Sequence, residues 1–336
     1  MPVAPEFGGD RTIRSQLAFA RITAALLLGV WLSGCGRAAS PLSTEEPCGA
    51  LEPVPARGTA ASLDVATWNL YWFGSIQNGP GDESCQLKNV RDIIAGLDLD
   101  LWSVQEVVDP AHFAALVASL PGYGGLLATD PAVTDGSRYY SDFEGQEQKV
   151  GLIYKSSVAT VRSARVILGE HEREFGGRPP VEVELAVTLD GTPFELIFIL
   201  IHAKAGSGQP DWEQRNAAAA VLKDYLDRTH PAAKVMVVGD FNDDVDVSIT
   251  PPNPSPYMRF VDDSTAYFIP TKALSEARKR STVDFTEMID HHLVTDELKG
   301  AYLPRSAEVF PADQYLASYR RTTSDHYPVL VRYLPR

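Results

Sequence analysis

Lys234-Val235-Met236-Val237-Val238-Gly239-Asp240-Phe241-Asn242 is the stretch on which the reading of the fold turns. The apolar run from Val235 to Val238 predicts a buried strand, and the Gly-Asp-Phe-Asn that follows sets an acid and an amide at its end. The arrangement recurs along the chain. Trp68-Asn69 follows the alternation of Leu63, Val65 and Thr67, Gln105-Glu106 follows Leu99, Leu101 and Ser103, and His202 follows Pro193 to Ile201. Ser324-Asp325-His326 stands just ahead of the alternating Tyr327 to Tyr333. Strand ends at one rim of a sheet are where polar groups can meet a ligand without being buried unpaired. A lone Asn or Asp at such a place is more often an ordinary turn residue. Five such patches in one chain outweigh that reading.

Between the patches the hydrophobic period alternates between strand and helix. Leu87, Val90, Ile93, Ile94 and Leu97 share one helical face. Asp109-Pro110 opens a second helix with the acid as cap and Pro110 in the first helical position, and Phe113, Leu116, Val117 and Leu120 face inward. Val150 to Tyr154, Val158 to Leu168, Val181 to Leu189 and Pro193 to Ile201 read as successive strands, the last two joined at Asp190-Gly191. Asp211 is expected to cap a helix reaching about Arg228, and Met288 to Val294 is a further strand. Pro251 to Pro256 marks a surface loop. The sum is an α/β chain without internal repeat, expected as a four-layer sandwich of two packed mixed β-sheets flanked by helices.

The N-terminus reads differently. Arg11, Arg14 and Arg21 precede the apolar stretch Ile22 to Leu32, which runs into Leu32-Ser33-Gly34-Cys35. The stretch falls short of the ~20 apolar residues needed to cross a bilayer, so it reads as an export signal. It resembles the lipobox of bacterial lipoproteins, which implies that Cys35 carries lipid and anchors the mature chain to a membrane on the exported side. A plain secretory signal or a buried helix are the alternatives. The resulting domain plan is signal 1–34, flexible tether 35–61, rich in Ala, Pro, Glu, Gly, Ser and Thr, and one folded domain 62–336. Removing the signal leaves 302 of the 336 residues, enough to bury a large core. The signal carries a net +1, so the remainder stands near −15 against −14 for the whole chain. That balance argues against a protein that passively coats nucleic acid, and leaves room for a basic groove or bound cations to seat a phosphate locally. Export also places Cys48 and Cys85 where disulfides persist. If paired, they would fasten the tether to the domain by about 3–4 kcal/mol; a mobile Cys48 with Cys85 as a buried thiol is the other reading.

The residue types in the five patches suit phosphoester hydrolysis. Attack on a phosphate anion needs a hard cation on oxygen ligands, a base for water, and donors for the charge that develops on phosphorus. In order, Trp-Asn, Gln-Glu, His, Gly-Asp-Phe-Asn, Ile289-Asp290-His291 and Ser-Asp-His resemble the endonuclease/exonuclease/phosphatase superfamily over about Leu63 to Tyr333. The resemblance implies Mg²⁺, with Mn²⁺ or Ca²⁺ as substitutes, held by Glu106 with Asp325 on the metal side. It implies Asp240 as the group that positions and deprotonates water, Asn69 and Asn242 as phosphate donors, His326 oriented by Asp290 to stabilise the pentavalent state, and His202 on the leaving-group side. His291 and His292 are expected to face opposite ways, as packed or surface imidazoles.

Departures narrow the transfer. Tyr71 stands where many relatives have a supporting acid, Val107-Val108 where pancreatic-type deoxyribonucleases have an arginine, and Gln148 where a carboxylate would back a histidine unless Glu147 reaches in. The expected substrate is a phosphodiester, with DNA or RNA first and a lipid or small-molecule phosphate second, turned over by a monomer. Arg278-Lys279-Arg280 reads as a phosphate-tracking patch or a solvated loop. A silent binding module would require loss of a core residue, and Glu106, Asp240, Asn242, Asp325 and His326 are all present.

Overall fold

The computed structural model describes residues 48–140 and 147–334. The readings that fall on 1–34, on Cys35 and on 35–47 lie outside them. Strand β1 (Leu63–Phe73) leads to helix α1 (Glu83–Leu97), β2 (Leu101–Val107), α2 (Pro110–Ala118), β3 (Tyr123–Leu127), β4 (Val133–Thr134) and α3 (Gly136–Tyr139). Then come β5 (Lys149–Lys155), β6 (Ala159–Val166), β7 (Val181–Leu189), β8 (Thr192–His202), α4 (Gln209–Thr229) and β9 (Val235–Asp240). The chain closes with α5 (Met258–Asp262), β10 (Tyr267–Phe268), α6 (Lys272–Glu276), β11 (Asp290–Thr295), α7 (Asp296–Lys299), β12 (Glu308–Val309), α8 (Tyr319–Thr322) and β13 (Val329–Tyr333).

The strands form two mixed sheets, ordered β12-β13-β1-β2-β5-β3 and β10-β11-β9-β8-β7-β6-β4. Their facing sides make one core, in which Leu63, Val65 and Leu101 pack with Val183, Leu185, Phe198 and Met236. Outside the first sheet, Val90, Ile93 and Ile94 of α1 and Phe113 and Leu116 of α2 cover Trp68, Trp102 and Val104. Outside the second, Ala218, Leu222 and Leu226 of α4 cover Ile199 and Val237. These are the four layers the hydrophobic patterning predicts. Central strands covered on both faces explain why they read as near-continuous apolar runs.

Local chemistry sets the joints. Asp109 caps α2 by accepting the Ala111 N–H at 2.7 Å. Asp190 and Gly191 both have positive φ, as a tight hairpin turn needs. Asp211 is not the cap of α4, as the sequence suggests, but its third residue; Gly208 caps, and the Asp211 carboxylate accepts the Gly208 N–H at 3.2 Å.

The described part of the stretch whose composition suggests a tether packs on the domain. Cys48 and Cys85 form a disulfide. The Leu51 N–H donates to the Tyr315 carbonyl at 2.8 Å, the N–H groups of Arg57 and Gly58 both reach the Leu97 carbonyl, and Val54 packs on the outer core of the first sheet. Residues 48–61 are therefore held on the domain, because backbone hydrogen bonds and the bridge secure a segment with little apolar periodicity.

Candidate active site

The parallel pairs β1/β2 and β8/β9 end at the same rim, and the antiparallel strands β11 and β13 begin there. In register, His202 lies opposite Asp240, and Asp240 opposite Asp290. Gly239 makes the first pairing feasible: a Cβ at that position would come to 1.9 Å from the Ile201 carbonyl oxygen. The register between β1 and β2 shifts between Asn69 and Phe73, and that between β2 and β5 shifts between Val104 and Val107. Such bulges re-aim side chains at the end of a strand. Here they turn Asn69 and Glu106 into the same space.

Glu106, His202, Asp240, Asn242, Asp325 and His326 line one cleft of about 340 Å³, together with Trp72, Gln148, Asp284 and Phe285. Asn69 joins the carboxylates from beneath: its Nδ2 lies 3.1 Å from Glu106 Oε1 and 3.0 Å from Asp240 Oδ2. Its amide has only two hydrogens, so both are committed. In this arrangement Asn69 holds two acids in place, whereas the resemblance implied a donor to phosphate. Glu106 Oε2 accepts the Trp72 N–H at 3.0 Å, and Asp240 Oδ1 the Asn242 N–H at 2.8 Å. Asn242 Nδ2 donates to the Ala203 carbonyl at 3.0 Å. Tyr71, Trp72, Glu106 and Asn242 all have φ between 50° and 60°. Left-handed backbone at residues other than glycine costs roughly 1–3 kcal/mol each and gathers at functional sites.

The two imidazoles beside Asp240 carry opposite charge preferences. His202 Nε2 lies 3.7 Å from Asp240 Oδ2 and 3.9 Å from Glu106 Oε1. Burial, with the nearby Arg178 and His326, holds it well below its ordinary pKa, so it is neutral. His326 Nε2 lies 3.9 Å from the same Asp240 oxygen, and its Nδ1 is 2.8 Å from Asp290 Oδ2. Burial alone would depress His326, but Asp290, Asp240 and Asp325 together raise it well above its ordinary value, so it is cationic. Burial and the neighbouring Asp290 push Asp240 up to about 7, within the range where a carboxylate can take a proton from water. The Ser324 hydroxyl fixes the loop by donating to the Asn69 carbonyl at 2.7 Å and accepting the His326 N–H at 2.9 Å.

Asp240, Asp290 and His326 each offer a donor atom, and these atoms lie within 4.8 Å of one another. The Asp290–His326 ion pair accounts for that closeness, and a cation there would have to displace the imidazole's proton. Glu106 and Asp325 form the better pocket for a divalent ion. Both are raised by burial, Glu106 also by the charge of Asp325, and Asp325 Oδ1 is buried without a partner among the described residues. An orphaned carboxylate oxygen in a cleft shared with another acid fits a hard dication that keeps several waters.

Arg178 and Arg320, beside the cleft, and Gln86, behind the strand end that carries Asn69, are residues that sequence reasoning missed. Arg178 reaches the carbonyls of His202 and Ala203 and donates to Gln148 Oε1 at 3.1 Å, so Gln148 faces a guanidinium and does not back a histidine. Arg320 lies 4.4 Å above the Tyr71 ring, pairs with Asp284 at 2.7 Å and stands 3.9 Å from Asp325. His291 and His292 face opposite ways, as expected, and both are packed imidazoles, fully buried. His291 bonds Thr271 and the Met288 carbonyl on one side of β11, and His292 bonds the Val329 carbonyl. Both faces of β11 are covered, so alternation does not expose either.

A model of the Endonuclease/Exonuclease/phosphatase family matches residues 66–326. No curated protein gives a match. Among solved structures, TDP2 of D. rerio complexed with single-strand DNA product superposes with a TM-score of 0.57 at 14% identity, covering 81% of this chain and 99% of that one. The catalytic domain of human Nocturnin with bound sulfate gives 0.54 at 19% identity over 81% and 94%, respectively. The 3′ phosphatase NExo from Neisseria, bound to a product DNA hairpin, gives 0.53 at 14% over 81% and 99%. At these identities the likeness is one of fold.

Proposed function

The chain belongs to the endonuclease/exonuclease/phosphatase family, and from that premise we propose that it is an exported, divalent-metal-dependent phosphodiesterase acting on DNA or RNA. The observation that carries the chemistry is Asp240 Oδ2, set between a neutral and a cationic imidazole beside the Glu106–Asp325 pair. Glu106 and Asp325 would hold the metal, which when bound supplies Lewis-acid stabilisation of the phosphate oxygens. Asp240 orients a water and accepts its proton. His326, kept charged by Asp290, meets the negative charge that grows on the phosphoryl oxygens. His202, uncharged, stands on the leaving-group side, and Asn69 keeps the Glu106 and Asp240 carboxylates from drifting apart. Asn242 orders the turn after Asp240 and has one amide hydrogen left for substrate.

Support for a nucleic acid substrate is the DNA held by two of the structural neighbours. A lipid or small-molecule phosphate is the second reading, favoured by Phe285, 65% exposed at the cleft mouth where it suits either a base or an acyl chain. Hydrolysis of plasmid DNA, RNA, sphingomyelin and inositol phosphates, assayed side by side with EDTA and with Mg²⁺ or Mn²⁺ added back, separates the two. Nucleic acid cleavage silenced by EDTA and restored by metal is expected; chelator-resistant turnover sinks the metal assignment, and turnover of only the lipid or sugar phosphates sinks the nuclease. Anchoring through Cys35 belongs to the same proposal. Cys35→Ser should move the protein from the membrane to the soluble fraction, and unchanged fractionation would contradict the anchor.

A further inference from the structure

Gln86 sits in the first turn of α1, touches no cleft atom, and is fully buried. Its Nε2 shares two hydrogens among three carbonyls, that of Leu70 at 2.8 Å and those of Tyr71 and Thr323 at 3.0 Å each. Its Oε1 accepts the Gly74 N–H at 3.4 Å. One side-chain amide thus joins two stretches of chain some 250 residues apart. On one side is the turn through Tyr71 and Trp72, both left-handed, which delivers the Trp72 N–H to Glu106 and the Tyr71 N–H to Asn69 Oδ1 at 2.9 Å. On the other is the residue immediately before Ser324-Asp325-His326, where the Ser324 hydroxyl ties the loop to the Asn69 carbonyl.

We propose that Gln86 is a positioning residue that keeps Glu106 and Asp325 in one cleft, where they can share a divalent ion, by clamping the β1 turn to the loop ahead of β13. The inference rests on the reading of Glu106 and Asp325 as the metal-holding pair. Two facts make the clamp specific. A left-handed pair of non-glycine residues relaxes unless its surroundings hold it, and Gln86 is bonded to the carbonyls on both sides of Tyr71 and to the Gly74 N–H beyond Trp72. The residue before it, Cys85, is bridged to Cys48, and Asn89, one turn on, donates to the Thr323 hydroxyl at 3.0 Å. The helix end that carries Gln86 is therefore held at several points.

The test is Mn²⁺ binding to the full domain by titration calorimetry, with turnover of a generic diester, bis(p-nitrophenyl) phosphate, read in parallel. Gln86→Met keeps the length and removes the amide. It should weaken Mn²⁺ affinity and lower kcat by about 10–100-fold, the usual loss when an outer support of a metal ligand is removed. Leu226→Ala, a core truncation under α4 on the other sheet, is the control for general destabilisation and should keep both values. Gln86→Asn retains the amide but sets it one methylene short of its partners, and carries the same expectation should Gln86→Met fail to fold. Parent-like Mn²⁺ affinity in the Gln86 variants, or an equal loss in Leu226→Ala, overturns the proposal. A parent protein that binds no Mn²⁺ overturns the metal reading itself and this inference with it, which is a distinguishable result.

Discussion

Both ends of the sandwich gather acids where strands begin and finish, and they differ in what faces those acids. At the end away from the cleft, Asp98 and Asp100 meet Lys155 Nζ at 2.8 and 3.4 Å beside a hollow of about 400 Å³, and Asp64 meets Arg332 at 3.5 Å. There the chain brings its own cations. At the cleft, Glu106 and Asp325 are both partly buried, Arg320 stands off at 3.9 Å, and Asp325 Oδ1 bonds nothing among the described residues. His326 and Arg320 answer part of that charge and leave the Asp325 oxygen unbonded, which suits a ligand from solution. Acids at the edges of apolar runs thus yield structure at one end and room for a ligand at the other.

The comparison breaks most visibly at the base. Asp240→Asn should lower kcat by about 10²–10⁴ with the circular dichroism spectrum unchanged; near-parent turnover would mean that this end holds no base. Lys155→Met should do the reverse. Leaving Asp98 and Asp100 without their cation is expected to reduce stability in urea by about 1–3 kcal/mol, with kcat as in the parent, and a matching loss of activity would show that the two ends are not separate.

The smallest effect is in the pH dependence of unfolding. Asp240 is raised to about 7 and Asp100 to about 6, in both cases by burial first, from an ordinary 3.8. A folded pKa above the unfolded one gives stability that is complete below pH ~4 and lost as pH rises through the folded value. In EDTA the melting temperature should therefore fall between pH 4 and 8. Mn²⁺ should remove the part owed to the cleft and leave the part owed to Asp100. A metal-independent slope would argue that the cleft acids do not face a cation.

The strand-end acids were legible because an apolar run followed by a polar group is a local pattern, readable at Asp240 or Glu106 without knowledge of the rest. The four-layer sandwich was legible for the same reason, since period and turn residues are local too. Arg178, Arg320 and Gln86 were not, because each reaches the site from an element whose own pattern explains it otherwise. Gln86 had one signal: it falls in helical register with Val90, Ile93 and Leu97, where a polar residue must find partners or pay desolvation. Both faces of β11 being covered could not be read from its alternation, which is why the sequence leaves open whether His291 and His292 are packed or at the surface.

The Cys48–Cys85 bridge has a mechanical consequence. Any pull arriving through the residues before Cys48 passes into the start of α1 by a covalent link, bypassing the stretch up to Ser62 and the beginning of β1. Strand β1, on which Asn69 rides, would stay slack while the helix takes the load. Under the anchoring proposed at Cys35, the staple would work as a strain relief, keeping the tension of attachment out of the strand that aligns the acids.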